Sequence, residues 1–64
     1  MIKEGDKIKL LSGEIAFISE VLEDKVAYIA EILKKGGGAA IEQISYQDIA
    51  SVFVEAETFL EHAV

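Results

Sequence analysis

Side chains that could move a proton in acid–base chemistry exist in number, among them Glu20, Glu31, Asp48 and His62. Such chemistry needs the groups to converge in a pocket that shifts their pKa values. These four lie in separate stretches, and a small chain that fills its interior with side chains leaves little cavity for them. A strand-borne Glu20 or Glu31 reads as a solvated outward residue. His62 is the only histidine and there is no cysteine, which removes thiol nucleophiles, disulfides and thiolate sites. A zinc ion would need several carboxylates in place of the missing ligands, and none are spaced for that. Lys34-Lys35-Gly36-Gly37-Gly38 is the other stretch with chemical potential. A phosphate-cradling loop carries its lysine after the glycines, then a hydroxyl and a helix. Here the lysines come first, so the stretch reads as a hairpin loop. The expectation is a protein that is not an enzyme, with no cofactor and no metal.

The elements must therefore be read for what else they position. Sixty-four residues make one domain. A chain this short buries only about 60% of its unfolded surface. Its route to stability is apolar burial: 52% of the residues are hydrophobic, with nine isoleucines and five valines. That is somewhat above the usual share, so either the core is dense or part of the surface is covered by another copy. The net charge is −6, from twelve acids against six lysines. Phosphate-gripping domains normally carry a basic face. The lysines here fall in two small groups, Lys3/Lys7/Lys9 and Lys34/Lys35, each beside acids, with Lys25 alone. No signal peptide is visible at Met1–Gly5, and the longest uncharged apolar run, Ile15 to Ser19, is too short to span a bilayer. A cytoplasmic, prokaryotic setting is expected.

Lys7-Ile8-Lys9-Leu10 alternates polar and apolar, the period-2 mark of a half-buried strand. Ser12-Gly13 reads as a tight turn. From Gly13 to Ile32 two apolar runs flank Glu23-Asp24-Lys25. Ile15, Ile18, Leu22, Val26, Ile29 and Ile32 also fall near helical spacing, so the pattern alone leaves a helical hairpin open. The β-branched and aromatic content favours strands, about Glu14–Leu22 and Lys25–Leu33. In the second, Val26, Tyr28, Ala30 and Ile32 share one face, and Ala27, Ile29 and Glu31 the other. In the first, Val21 falls out of phase with Ala16 and Ile18, and a bulge near Ser19-Glu20 would return it. Ala39–Ile44 is a weaker strand. Ser45-Tyr46-Gln47-Asp48 matches a capping box and predicts a single helical turn. Ser51–Glu55 reads as the last strand, with Val52 and Val54 on one face. Residues 56–64 could form a short helix.

That order of elements resembles an SH3-like small β-barrel over roughly residues 5–55, with 56–64 as a tail of the same single domain. Gly5-Asp6-Lys7-Ile8-Lys9-Leu10, then Gly13, Ala16, Ile18 and Val21, is similar to the opening of a KOW-type module, although Ala16 stands where that motif usually has glycine. Ser45–Ile49 followed by Ser51–Val54 is similar to the short turn before its last strand. The chain is also similar to small proteins of Gram-positive gut bacteria and their mobile elements, which implies no activity. The fold class expected is all-β: a five-stranded SH3-like barrel with one helical turn before the last strand. Eukaryotic SH3 domains read proline-rich peptides through a tryptophan-containing cluster, and this chain has no tryptophan. The function expected is a non-catalytic protein-interaction module with an unknown protein partner, self-association being one form of it. Its interface would use the apolar excess at Ala27, Ile29, Phe53, Phe59 and Leu60. The alternative is a KOW-like nucleic-acid-binding module using Lys3, Lys7, Lys9, Lys34 and Lys35.

Overall fold

The computed structural model describes residues 1–53, and they form an all-β fold. The strands are β1 (Lys7–Leu10), β2 (Ile15–Glu23), β3 (Ala27–Leu33), β4 (Ala39–Ser45) and β5 (Ile49–Val52). A single 3-10 turn, Tyr46–Asp48, stands between β4 and β5. All pairings are antiparallel, in the order β4-β3-β2-β1-β5. The helical alternative for Gly13–Ile32 is thereby excluded: that stretch is the β2–β3 hairpin. The expected short helix over 56–64, and Val54 and Glu55 of the expected last strand, lie outside the described residues.

One face of the coiled sheet carries the core. Ile8 and Leu10 of β1, Ala16 and Ile18 of β2, Tyr28, Ala30 and Ile32 of β3, and Ile44 of β4 are buried, with Ile2 added from the amino-terminal segment. Val21 and Ile49 pack against them. The period of two makes this selection, because every second residue of a strand points to the same side. Val21 joins the core only because the chain bulges. Ile18 pairs with Ala30 and Glu20 with Ile29, so one extra residue is absorbed at Ser19. Without it Val21 would point outward. A second irregularity follows between Val21 and Glu23.

The turns differ in detail from the sequence expectations. Gly13 has a φ of 97° and donates to the Leu10 carbonyl at 2.8 Å, so β2 begins at Ile15 and Glu14 belongs to the turn. The β2–β3 turn lacks glycine, and Lys25 takes the left-handed conformation instead, at φ 64°. Val26 is then the fourth residue of that turn, donating to the Glu23 carbonyl at 2.9 Å. It is exposed rather than on the inward face with Tyr28, a correction to the expected strand start. The left-handed lysine is held from below: the Tyr28 hydroxyl accepts the Lys25 backbone N–H at 2.8 Å. At the other end of β4, Ser45 Oγ accepts from the Gln47 N–H at 3.2 Å, and Asp48 Oδ2 accepts from the Ser45 N–H at 3.0 Å. This closes the capping box. β5 starts directly at Ile49 and ends at Val52, two residues earlier at its start than the Ser51–Glu55 expected. The 3-10 turn needs no spacer before it.

Two carboxylates couple the turns to pH. Asp6 is held below its ordinary value: burial pushes it up, but hydrogen bonds from the Lys3 ammonium and backbone N–H, with the Lys3 and amino-terminal charges, outweigh that. Glu14 is also lowered, first by the Lys34 hydrogen bond at 3.0 Å and then by Ser12. A carboxylate lowered in the folded state adds stability that is complete above its unfolded pKa, about 3.9 for Asp and 4.3 for Glu. That stability is lost as pH falls through the folded value. The urea midpoint should therefore stay flat from pH 7 to about 5 and fall below about pH 4. Asp6→Asn with Glu14→Gln should flatten that fall, and an equal acid response in the double variant would refute the assignment.

Candidate functional site

The groups considered for proton transfer are not brought together. Glu20 lies at the bulge opposite Ile29, and Glu31 pairs across with Phe17 and Ile41 on the outer face. Asp48 is engaged in the capping box, and His62 lies outside the described residues. Among the described residues no group of three His, Cys, Asp or Glu side chains is placed to hold a metal ion. The glycine stretch is the β3–β4 hairpin loop. Gly36, Gly37 and Gly38 all have φ between 85° and 102°, and the Lys34 N–H donates to the Gly38 carbonyl at 3.1 Å.

The lysines are dispersed. Lys3 Nζ is paired with Asp6 at 3.0 Å. Lys34 Nζ is paired with Glu14 at 3.0 Å and lies 3.9 Å from Glu42. Lys7 sits over the Phe53 ring, 4.9 Å from its centroid. Lys7 and Lys9 lie opposite Phe17 and Ile15 on the outer face.

That outer face is the most distinctive surface among the described residues. Residues alternate with the core on each strand, so everything out of phase with it shares one side. The registers align Lys7 with Phe17, Phe17 with Glu31 and Glu31 with Ile41 across four strands. Phe53 extends the row beyond Lys7, its N–H donating to the Lys7 carbonyl at 2.9 Å. On the same side lie Ile29, between Glu20 and Gln43, and Ala27, opposite Ser45. The exposures are 36% for Phe17, 42% for Leu33, 69% for Ile41 and 42% for Phe53. Ala27 and Ile29 are half-buried. Of the five residues expected at an interface, Ala27, Ile29 and Phe53 therefore lie on this face. Phe59 and Leu60 are outside the described residues.

No family model, curated protein or solved structure matches the chain. The geometry of this face must carry the reading by itself.

Sequence reasoning did not pick out Phe17, Leu33 and Ile41. The signal for Phe17 was present, since it alternates with Ala16 and Ile18. Ile41 carried less signal. β4 shows no clean alternation in its composition, and only its register with β3 assigns Ile41 to the outer side. A second hollow, at the opposite side of the sheet, is lined by Tyr28, Tyr46, Gln47 and Lys25. The two rings there lie 6.5 Å apart. Among the described residues lining it, Lys25 is the one charged side chain. No helix among the described residues is long and apolar enough to cross a membrane.

Proposed function

We propose that this chain is a non-catalytic interaction module that associates with a second copy of itself through the outer face of its sheet. The observation that carries the reading is the outer face itself, on the side away from the core: exposed Phe53, Phe17 and Ile41 lie in one row with Lys7 and Glu31 between them, and Leu33 and Ile29 flank Glu31 on β3. Grouped apolar side chains on a small domain mark an interface more often than scattered ones do. The SH3-like, KOW-type resemblance and a cytoplasmic setting belong to the same proposal. The strand order and the 3-10 turn before β5 support the resemblance.

Light scattering coupled to gel filtration tests it. Wild type should run above the 7.0 kDa of one chain at high concentration. Ile29→Lys should return it to one chain with its circular dichroism unchanged. Wild type at one-chain mass at millimolar concentration sinks the reading. Unfolding of Ile29→Lys would instead make Ile29 part of the core.

Nucleic-acid binding has one supporting feature, Lys7 between Phe17 and Phe53 with Lys9 on the same strand face. Basic and aromatic groups in alternation suit single strands. Lys3 and Lys34 are engaged by acids and the net charge is −6, so this stays the second reading. A labelled RNA or DNA strand that shows no shift at low salt ends it.

A further inference from the structure

The outer edge of β4 carries an inference that deepens the self-association reading and rests on it. β4 is an edge strand, paired on one side only. The direction of its backbone groups follows from two bonds at its ends. The Lys34 N–H donates to the Gly38 carbonyl, and the Tyr46 N–H donates to the Val26 carbonyl. Both pairs lie in the β3–β4 register, in which Ile32 faces Ala40 and Tyr28 faces Ile44. In an antiparallel ladder the residues that exchange hydrogen bonds alternate. Gly38, Ala40, Glu42, Ile44 and Tyr46 therefore point their N–H and C=O groups at β3. Ala39, Ile41, Gln43 and Ser45 point theirs at the open edge. Ser45 confirms the direction, because its N–H is taken by the Asp48 carboxylate. Three residues, Ala39, Ile41 and Gln43, are left with both backbone groups facing outward and no backbone partner among the described residues. Glu42–Ile44 face Leu10–Ser12 and Asp48 across a hollow, and those residues make no backbone–backbone hydrogen bond to this edge.

Edges of this kind are normally blunted by charged side chains, proline, a bulge or shortness. Apart from Glu42, which is in phase with buried Ile44 and lies 3.9 Å from Lys34 of its own chain, β4 has none of these. It runs seven residues, contains no lysine or proline, and keeps unbroken register with β3 at every position. We infer that its partner is the same strand of a second copy, paired antiparallel about a two-fold axis at Ile41. In that register Ile41 faces Ile41 of the other copy, and Ala39 faces Gln43. All three open residues of each chain are then satisfied, by six hydrogen bonds in total. Glu42 faces Ala40, so no like charges oppose. The register shifted by one residue puts Glu42 directly against Glu42, which repels, and calls on a Ser45 N–H already in use. The shift the other way leaves Gln43 beyond the strand, against Gly37. Pairing at Ile41 also brings Ile41 of the two copies side by side and joins the two outer faces into one continuous sheet face.

The chain has no cysteine, so single-cysteine variants report the register directly. Residues facing across a hydrogen-bonded antiparallel pair have Cα atoms about 5.5 Å apart, within disulfide reach. Under mild oxidation Ile41→Cys should form a covalent dimer at least tenfold faster than Glu42→Cys. Ile41→Pro removes an N–H that β3 does not use, a position where an edge strand tolerates proline. It should run at the mass of one chain with its sheet signal intact. Equal cross-linking of the two cysteine variants, or an Ile41→Pro protein that still associates, overturns pairing at β4 while leaving association through the outer face standing. A wild type that runs as one chain at millimolar concentration overturns both.

Discussion

Tyr28→Ala should leave this domain largely unfolded at room temperature. Tyr28 is fully buried on β3, and truncating a large buried aromatic costs about 3–5 kcal/mol. A 64-residue domain has roughly 3–10 kcal/mol in total, so the loss takes most of it. The ring does more than fill space. Its hydroxyl accepts the Lys25 N–H at 2.8 Å, and Lys25 holds the left-handed conformation that closes the β2–β3 turn. Tyr28→Phe separates the two roles. It keeps the ring and leaves one partly buried donor without its acceptor, which should cost about 1 kcal/mol. Urea titrations followed by circular dichroism measure both. A Tyr28→Ala protein within 1 kcal/mol of wild type would show that the hairpin does not depend on this side chain.

Two isoleucines give the second large contrast. Ile8 is fully buried on β1, the strand that joins β2 to β5. Ile8→Ala should cost about 2–5 kcal/mol through lost burial and the cavity left behind. Ile41 is 69% exposed on β4. Ile41→Ala should change the stability of a single chain by no more than about 0.5 kcal/mol. Both titrations belong at low protein concentration, so that association does not add to the stability of Ile41. If the two substitutions cost the same, the division of the sheet into a core face and an outer face is wrong.

The strands of this protein were legible where the pattern was strong. Lys7–Leu10 alternates so clearly that its strand and its inward residues follow at once. The broken phase of Ala16, Ile18 and Val21 announced a bulge, and the register places it at Ser19-Glu20. Ser45 and Asp48 announced the single helical turn, because a capping pair is a local device within four residues. What was not legible is what depends on partners distant in sequence. Val26 is a separate, local miss: it looks like strand by composition, and the left-handed Lys25 before it, with no glycine to signal it, makes it part of the turn. Ile41 sits in a run with weak alternation, and its outward position comes from pairing with Glu31, ten residues earlier. For the interaction surface, the sequence pointed to Ala27, Ile29 and Phe53, and to Phe59 and Leu60 outside the described residues. It omitted Phe17 and Ile41, which form one row only after four strands are aligned.

By itself, the sequence determined the β character of this chain, the approximate places of its turns, its capping box and the side of each regular strand that faces inward. These follow from local sterics and from a side-chain period of two, which need no knowledge of neighbours. The tertiary structure decided which strands are neighbours and which edge is left open. It also decided which outward residues meet. Those depend on register between segments far apart in the chain, where a shift of one residue turns a strand over. The open backbone groups of β4 at Ala39, Ile41 and Gln43 are of that second kind, since their direction is set by what β3 has already taken.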